Sequence, residues 1–247
     1  MSLVDEILKI PPVTRFLCGS LLGVSLPMMM NIVSPYKLLF VRELVTQRYE
    51  IWRVFTSFFI GGSGINFIFD LAMTYRNSDD LESRHYAGRS ADYAWQLLLA
   101  AAGILALNIP LRTFVHTRAL LIALTYVSSS LAPPGTQTSF FGLLTINAKF
   151  LPYVLVGMDL LMGGPSAAAV SISGAVVGHL WWWGVWHTGA LRGWGSAPSW
   201  LRSLMGQRGG VAGAVNIGGV HVIPPRREAA RAPGGATWGG PGRRLGD

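Results

Sequence analysis

The chain is poor in charged residues, and this shortage limits the class of protein it can be. Only 13% of its 247 residues are charged, whereas 51% are hydrophobic and the mean hydropathy is +0.40. A soluble domain of this size could not keep so much apolar surface away from water. The composition therefore predicts an integral membrane protein that crosses the bilayer several times as helices.

Cysteine and lysine are also scarce. The one cysteine, Cys18, excludes an intramolecular disulfide. There are 3 lysines against 17 arginines, and 8 of those arginines follow residue 190. The formal net charge of +8 is thus mostly a property of the tail, and we predict no nucleic-acid partner.

The hydropathy pattern predicts six transmembrane helices. The first is read as a retained helix, because no signal-peptidase site follows it. Six spans place both termini on one side of the membrane. With the termini in the cytosol, 14 basic residues lie on that side and 6 on the other, although the count is 6 to 6 without the tail. The predicted spans are residues 15–34, 55–75, 93–109, 117–132, 150–164 and 166–187.

Two of the predicted spans are short. The apolar part of the fourth, residues 119–132, has 14 residues, and the fifth has about 15. At 1.5 Å per residue they reach about 21 to 23 Å, against a hydrocarbon core of about 30 Å. Such helices either thin the bilayer or lie behind neighbouring helices.

A loop and a glycine-rich tetrad precede the second span. The loop, residues 35–50, is amphipathic and is expected in the membrane interface, where Trp52 and Arg53 would mark the headgroup level. The tetrad, residues 61–64, spells the G-x-S-G of intramembrane serine proteases. Its Ser63 is expected about 12 Å into the second span, whereas His179 would lie about 20 Å deep from the same side. Because the depths differ, the tetrad is interpreted as packing glycines.

Two acidic residues fall inside predicted spans. An intramembrane carboxylate usually lines a polar cavity or faces a partner group. Asp159 lies within the fifth span, and Asp70 is expected about five residues from the cytosolic edge of the second. Either residue could line a hydrophilic path, or could be protonated or near enough to a helix end to reach water. A transporter or channel built on these two acids is a further hypothesis.

Several motifs, in order and at matching spacing, resemble the derlin family over about residues 10–183. They are Ile10-Pro11-Pro12-Val13-Thr14-Arg15, Ser34-Pro35-Tyr36, Glu50-Ile51-Trp52-Arg53, Gly64-Ile65-Asn66-Phe67-Ile68-Phe69, Gly88-Arg89-Ser90-Ala91-Asp92, Ser139-Phe140-Phe141-Gly142 and Gly174-x-x-x-Gly178-His179. Derlins are rhomboid pseudoproteases of the endoplasmic reticulum membrane. The resemblance implies a six-helix rhomboid-like fold, cytosolic termini, and a part in the degradation of misfolded proteins.

The resemblance bears on His179. We interpret it as a remnant of the histidine that serves as the catalytic base in rhomboid proteases. Its expected role is an interhelical hydrogen bond beside the packing glycines Gly174 and Gly178. The alternative is an active serine protease in which His179 acts with Ser128, Ser129 or Ser130, which lie at the same depth. No glycine flanks these serines, so the sequence favours a protein with no catalytic residues.

Metal and cofactor sites are not predicted. His179 and His187 are eight residues apart, on roughly one helix face. Neither a cysteine nor another histidine stands near enough in sequence to complete a metal shell. We therefore predict neither a metal ion nor a cofactor.

The chain divides at about residue 190. Residues 1–190 form the predicted transmembrane domain, and residues 191–247 a disordered cytosolic tail rich in glycine, proline and arginine. Residues 238–247 resemble the SHP box with which some derlins recruit valosin-containing protein, a cytosolic AAA ATPase. The predicted binding residues are Trp238, Gly239, Arg243, Arg244, Leu245, Gly246 and Asp247.

The function expected from the resemblance is non-catalytic help in moving misfolded proteins from the endoplasmic reticulum to the cytosol. The expected partners are membrane lipids, misfolded client proteins, a membrane ubiquitin ligase complex and the AAA ATPase. Local thinning of the bilayer by the short spans is the proposed mechanism.

Overall fold

The computed structural model describes residue 5, residues 9–140 and residues 144–206 of the chain, all within one compact unit, Met1–Arg208. Eight α-helices account for most of this part: α1 (Pro12–Met29), α2 (Arg42–Arg48), α3 (Trp52–Thr56), α4 (Ile65–Asp80), α5 (Ser90–Asn108), α6 (Thr117–Leu131), α7 (Leu151–Trp181) and α8 (Ser199–Leu204). Single turns of π-helix extend α4 over Leu81–His85 and α7 over Trp182–His187. The predicted all-helical class is confirmed.

Helix α7 is a hairpin of two arms. Its backbone leaves helical geometry at Gly164, where φ is 72° and ψ is −170°, and Pro165 follows. The Ser171 hydroxyl donates to the Asp159 carboxylate, although a straight helix would separate residues 12 positions apart by about 18 Å. The chain therefore reverses at Gly164, and the arms (151–163 and 165–181) correspond to the fifth and sixth predicted spans.

Three stretches of the described chain are long and apolar enough to cross a membrane: Pro12–Met29, Ser90–Asn108 and Ala148–His187. The last contains the α7 hairpin. Helices α4 and α6 have 16 and 15 residues and stay below that length. Together with α1, α5 and the two arms of α7 they form the six-helix, polytopic architecture that the sequence predicts.

The helices alternate in direction. Ser25, late in α1, contacts the Phe59 carbonyl and the Gly61 amide, whereas Thr14, early in α1, contacts Glu82 beyond the end of α4. The described chain ends lie at the same end of the bundle. Ser78 of α4 contacts both Thr14 of α1 and Tyr93 of α5, and the Ala197 amide donates to Asp92 at the start of α5. We call this end of the bundle the terminal face. The opposite end, which contains residues 30–64 and the Gly164 turn, is the loop face.

A buried carboxylate caps α1. Glu82 accepts hydrogen bonds from the backbone amides of Val13 and Thr14, at 3.1 and 2.8 Å, and from the Thr14 hydroxyl at 2.9 Å. These amides belong to the first turn of α1, where backbone donors lack partners within the helix and negative charge is favoured. Glu82 thereby joins α1 to the end of α4 at the terminal face.

The second transmembrane helix begins ten residues later than predicted, at Ile65 rather than residue 55. Residues 57–64 are irregular, yet Phe58, Phe59 and Ile60 are buried. Hydropathy cannot distinguish an apolar loop packed inside a bundle from a membrane helix, which explains the error. Ser63 is consequently exposed before α4 instead of about 12 Å inside it.

A two-stranded antiparallel hairpin, not predicted from the sequence, joins α6 to α7. Its strands are β1 (Gln137–Phe140) and β2 (Leu144–Asn147). A 3₁₀ turn, Ala148–Phe150, leads from β2 into α7. The hairpin places polar residues beside the ends of α4 and α6 at the terminal face.

The folded unit continues past residue 190, where the sequence placed its end. Leu201 of α8 and Ala197 are buried against Ala91 of α5. The Trp95 indole donates to the Trp194 carbonyl and the Gln96 amide to the Gly195 carbonyl, both at 2.8 Å. Hydrogen bonds to α5 therefore fix residues 194 and 195, which lie in a segment whose composition alone predicts disorder.

Candidate functional site

Helices α4, α6 and the first arm of α7 pack together along a contact that we call the groove, and its side chains change character along its length. On each helix the groove residues recur every three or four positions, the spacing that aligns side chains on one helical face. From the loop face to the terminal face they are Asp70, Met73, Asn77 and Asp80 on α4; Arg118, Leu121, Thr125 and Ser128 on α6; and Asp159, Leu155 and Leu151 on α7.

A charge cluster occupies the loop-face end of the groove. The Arg118 guanidinium donates twice to Asp159 through Nε, at 2.8 and 3.0 Å, and once to Asp70 through Nη1, at 2.8 Å. Ser171 also donates to Asp159. The Arg118, Asp70 and Asp159 side chains are 26%, 10% and 13% exposed. One arginine thus joins three helix segments, and the cluster carries one formal negative charge.

The cluster changes the interpretation of the two acids. Asp70 is the sixth residue of α4, counted from its start at the loop face, and does not lie five residues from the opposite end, so the predicted position was wrong. Both acids are paired with Arg118, which the sequence analysis did not select. The three-and-four spacing from Arg118 to Ser128 is the signal that could have placed this arginine on the same face as polar residues.

An apolar layer closes the middle of the groove. It consists of Met73, Leu121, Ile122, Leu151 and Leu155, each at most 6% exposed. Phe69, Val156 and Ala175 pack against it. Because the groove is polar on either side, this layer separates two hydrophilic regions.

A cleft of about 320 Å³ opens the groove at the terminal face. Two hydrogen bonds join residues that line the cleft: Asn77 donates to Thr125 at 2.6 Å, and Ser128 donates to Asp80 at 3.1 Å. Arg76 donates to Thr138 of β1 at 2.9 Å on its wall. Other lining residues include Asp79, Arg84, His85 and Thr136. Polar groups of both charge signs therefore surround a space large enough for several side chains.

Two aromatic groups at the terminal face, beyond the end of α4, have shifted pKa values. Burial lowers the pKa of the His85 imidazole, which lines the cleft. Burial also raises the pKa of the Tyr86 phenol to about 12. Tyr86 donates to Gln96, which also accepts from Trp181 at 2.8 Å. Both groups are uncharged at neutral pH, so the fixed charges of the cleft come from its arginines and aspartates.

The structure separates the roles of Trp52 and Arg53. Trp52 is 55% exposed, as a residue in a membrane interface would be. Arg53 is only 6% exposed and points inward. Its guanidinium binds Glu50 and the backbone carbonyls of Tyr36 and Leu39. Arg53 therefore ties the loop to α3, an arrangement different from the expected arginine at headgroup level.

Gly174 and Gly178 lie against the backbone of α6. A Cβ atom added to Gly174 would lie 2.1 Å from the Ala119 carbonyl oxygen, and one added to Gly178 would lie 2.9 Å from that of Ala123. These distances leave no room for a side chain. The small residues let α6 and the second arm of α7 pack at backbone contact.

His179 bonds to a tyrosine. Its Nδ1 lies 2.8 Å from the Tyr126 hydroxyl across the α6–α7 contact. The hydroxyl of Ser128 donates to Asp80, and that of Ser129 donates to the Tyr126 carbonyl. In the described part of the chain, His179 thus has an interhelical hydrogen-bond partner on α6, and the hydroxyls of Ser128 and Ser129 donate to other groups.

A serine and a histidine do meet elsewhere, between residues that the sequence analysis did not consider. Ser57 Oγ lies 3.1 Å from His116 Nδ1, and both residues are fully buried at the loop face. The Ser57 hydroxyl donates to the Val54 carbonyl at 2.9 Å. Its proton is therefore not directed at the imidazole, and the pair joins α6 to the loop after α3.

Two further expectations concern ligands. Among the described residues, no group of three or more histidine, cysteine or acidic side chains could hold a metal ion. His179 and His187 flank the ring of Trp182, with ring centroids 5.9 and 5.2 Å from it. The predicted ATPase-binding motif, residues 238–247, lies outside the described residues.

Sequence comparisons identify relatives of this chain. The sequence model of the Der1-like family matches residues 10–186. Derlin-1 of Mus musculus is 31% identical over 253 residues, covering 98% of this chain and 98% of the mouse protein. Derlin-2 of Oryza sativa subsp. japonica is 32% identical over 186 residues, covering 70% and 74%. Derlin-1 of Arabidopsis thaliana is 28% identical over 226 residues, covering 88% and 84%.

Proposed function

Since the chain belongs to the Der1-like family, whose members have a role in degradation associated with the endoplasmic reticulum, we propose that it helps misfolded proteins return through that membrane to the cytosol. In this proposal the protein resides in the endoplasmic reticulum membrane with both termini cytosolic, beside a membrane ubiquitin ligase complex. The terminal face is then the cytosolic side and the loop face the lumenal side.

The observation that carries the proposal is the groove. It is charged at the loop face, apolar in the middle and polar again in the cleft of the terminal face. Moving a polar peptide group through hydrocarbon without hydrogen-bond partners costs several kcal/mol. A client chain following the groove would find polar groups on both sides of one thin apolar layer, which lowers that cost.

The length of the first arm of α7 supports the same proposal. It has 13 residues, from 151 to 163, and Leu161 and Met162 near its end are 87% and 73% exposed. The arm reaches about 20 Å, against a hydrocarbon core of about 30 Å. Helix α6, with 15 residues, is buried at ten of them and lies behind its neighbours. A bilayer that matches the first arm of α7 would be thinner beside the groove, which would shorten the apolar part of the client's path.

We propose that the protein acts without cutting peptide bonds. Acyl transfer needs a nucleophile held by a base, and the hydrogen bond that His179 makes to Tyr126 supports a packing role instead. A serine-reactive probe should leave the protein unlabelled. Labelling that disappears in His179→Ala would establish the protease that we argue against.

The ATPase is proposed to bind residues 238–247. Its predicted anchors are Trp238 and Leu245, with Arg243 and Arg244 beside them for an acidic partner. Deleting these ten residues should abolish capture of the ATPase from cytosol by the purified membrane protein, while its helix content stays unchanged. Undiminished capture would show that another segment binds it.

The client path can be tested in cells that lack their own derlins. We expect this chain to restore rapid degradation of a misfolded lumenal reporter, and Thr136→Trp, which fills the cleft, to prolong the reporter's half-life. Gln137→Trp is the matched control, because Gln137 is the next residue, is exposed, and does not line the cleft. Equal half-lives for the two variants would contradict a path through the cleft.

A further inference from the structure

The segment after α7 presents a second surface, independent of the groove. Its outer side exposes Trp194 by 78%, Trp200 by 56% and Leu204 by 77%. Trp200 and Leu204 are four residues apart on α8, so they share one face. The opposite side of the segment is fixed to α5, as described above. The exposed aromatic and aliphatic side chains thus sit on an anchored scaffold.

The position of this segment relative to the membrane follows from α5. With 19 residues, α5 is about 28 Å long, close to the full hydrocarbon thickness. Its first turn must therefore lie at one membrane boundary. Asp92, in that turn, accepts the Ala197 amide at 2.8 Å. Residues 191–205 are consequently held at the boundary.

The segment also lies on the outer side of α5. It packs against Ala94 and Trp95 of α5. Leu98 and Leu99 lie three and four residues after Trp95, so they share its helical face, and they are 54% and 42% exposed. In a spanning helix those exposed leucines face the lipid tails. The exposed side of residues 191–205 is therefore continuous with the lipid-facing surface.

The charge of the segment is positive. Residues 188–206 contain Arg192 and Arg202 and no acidic residue. The Arg192 Nε donates to the Val185 carbonyl at 3.1 Å, and this arginine is exposed. Arg202 contacts Asp92 at 3.3 Å and keeps 44% of its side chain exposed. Tryptophan and arginine together at a membrane boundary suit the headgroup layer, where basic residues attract anionic lipids.

We propose that residues 191–205 form a lipid-binding foot that lies in the headgroup layer beside α5 and prefers anionic phospholipid. Trp194, Trp200 and Leu204 insert below the phosphates, and Arg192 contacts them. The foot holds the end of the transmembrane unit at a fixed depth, directly before the part of the chain in which the ATPase motif lies.

Spin labels in nanodiscs test this proposal on the full chain. Cys18→Ser removes the single native cysteine, and Trp194→Cys or Leu204→Cys then carries the label. Ile68→Cys on α4, 60% exposed, is the lipid reference, and Arg84→Cys, with a side chain 70% exposed, is the aqueous reference. The readout is the ratio of collisions with oxygen to collisions with a water-soluble nickel chelate.

Both foot labels should give ratios shifted from the Arg84 value towards the Ile68 value. Adding phosphatidylserine to phosphatidylcholine nanodiscs should increase the shift, and Arg192→Gln should remove that increase. Ratios equal to that of Arg84 would overturn the proposal. So would labels shielded from both reagents, because protein would then cover the surface. Equal ratios in the two lipid compositions would overturn the preference for anionic lipid.

Discussion

Replacing Arg118 by methionine removes the guanidinium that contacts both Asp70 and Asp159. Two carboxylates would then remain close together in a largely buried site, at 10% and 13% side-chain exposure. Methionine retains the aliphatic volume of the arginine stem, so the change tests the charge and not a cavity. We expect the variant to fold with markedly lower stability.

The expected loss in the free energy of unfolding follows from the burial of the charge cluster. Breaking a buried ion pair by removing one partner costs about 3 to 5 kcal/mol. Arg118 keeps 26% of its side chain exposed, so the lower end, about 3 kcal/mol, applies. That is about two powers of ten in the unfolding equilibrium. Neutralising all three residues leaves no uncompensated charge, so Arg118→Met with Asp70→Asn and Asp159→Asn should recover to within about 1 kcal/mol of the parent.

The assay is reversible unfolding in mixed detergent micelles, followed by tryptophan fluorescence. Arg42→Met, which removes an exposed arginine on α2, controls for loss of charge alone and should change stability little. An Arg118→Met variant as stable as the parent would refute the structural role of the cluster. A triple variant no more stable than the single one would refute the argument from unpaired charge.

Three other substitutions test contacts away from the charge cluster. Gly174→Ala should destabilise the protein by about 3 kcal/mol in the same unfolding assay, because the new methyl group would clash with the Ala119 carbonyl. Gly19→Ala is its control and should be neutral or stabilising, because a Cβ atom at residue 19 would have no neighbouring atom within 4 Å. Arg53→Met should speed proteolysis of residues 35–51, since two loop carbonyls lose their donor, and unchanged cleavage would show that the loop does not need it. Glu82→Gln should cost about 1 to 2 kcal/mol by weakening the cap on α1, and a variant with parental stability would contradict the capping role.

The sequence predicted those features of the fold that are determined within a single helix. Apolar length located α1, α5 and the two arms of α7, and the spacing of Gly174 and Gly178 indicated a packing face. The start of α4 was not predictable in this way. Phe58 and Phe59 are apolar because they pack inside the bundle, not because they face lipid, and hydropathy responds to both causes alike.

The site depended on which helices become neighbours, and a single sequence contains little information on that. Asp70 and Asp159 were recognisable as intramembrane acids, but their common partner Arg118 lies on a third helix and 41 or more residues from either. The segment at 191–206 was missed for a related reason. Its order comes from bonds to Asp92, Trp95 and Gln96, about 100 residues earlier.

Site-specific photocrosslinking to a client in transit tests the proposed path most directly. A photoreactive amino acid replaces Leu121 in the apolar layer, Thr136 in the cleft, or Leu161, which is 87% exposed on the outer surface of α7. The client is a misfolded lumenal protein arrested during its return to the cytosol. Crosslinks from Leu121 and Thr136, with none from Leu161, are the predicted result. Crosslinks from Leu161 without any from Leu121 would contradict a path through the groove.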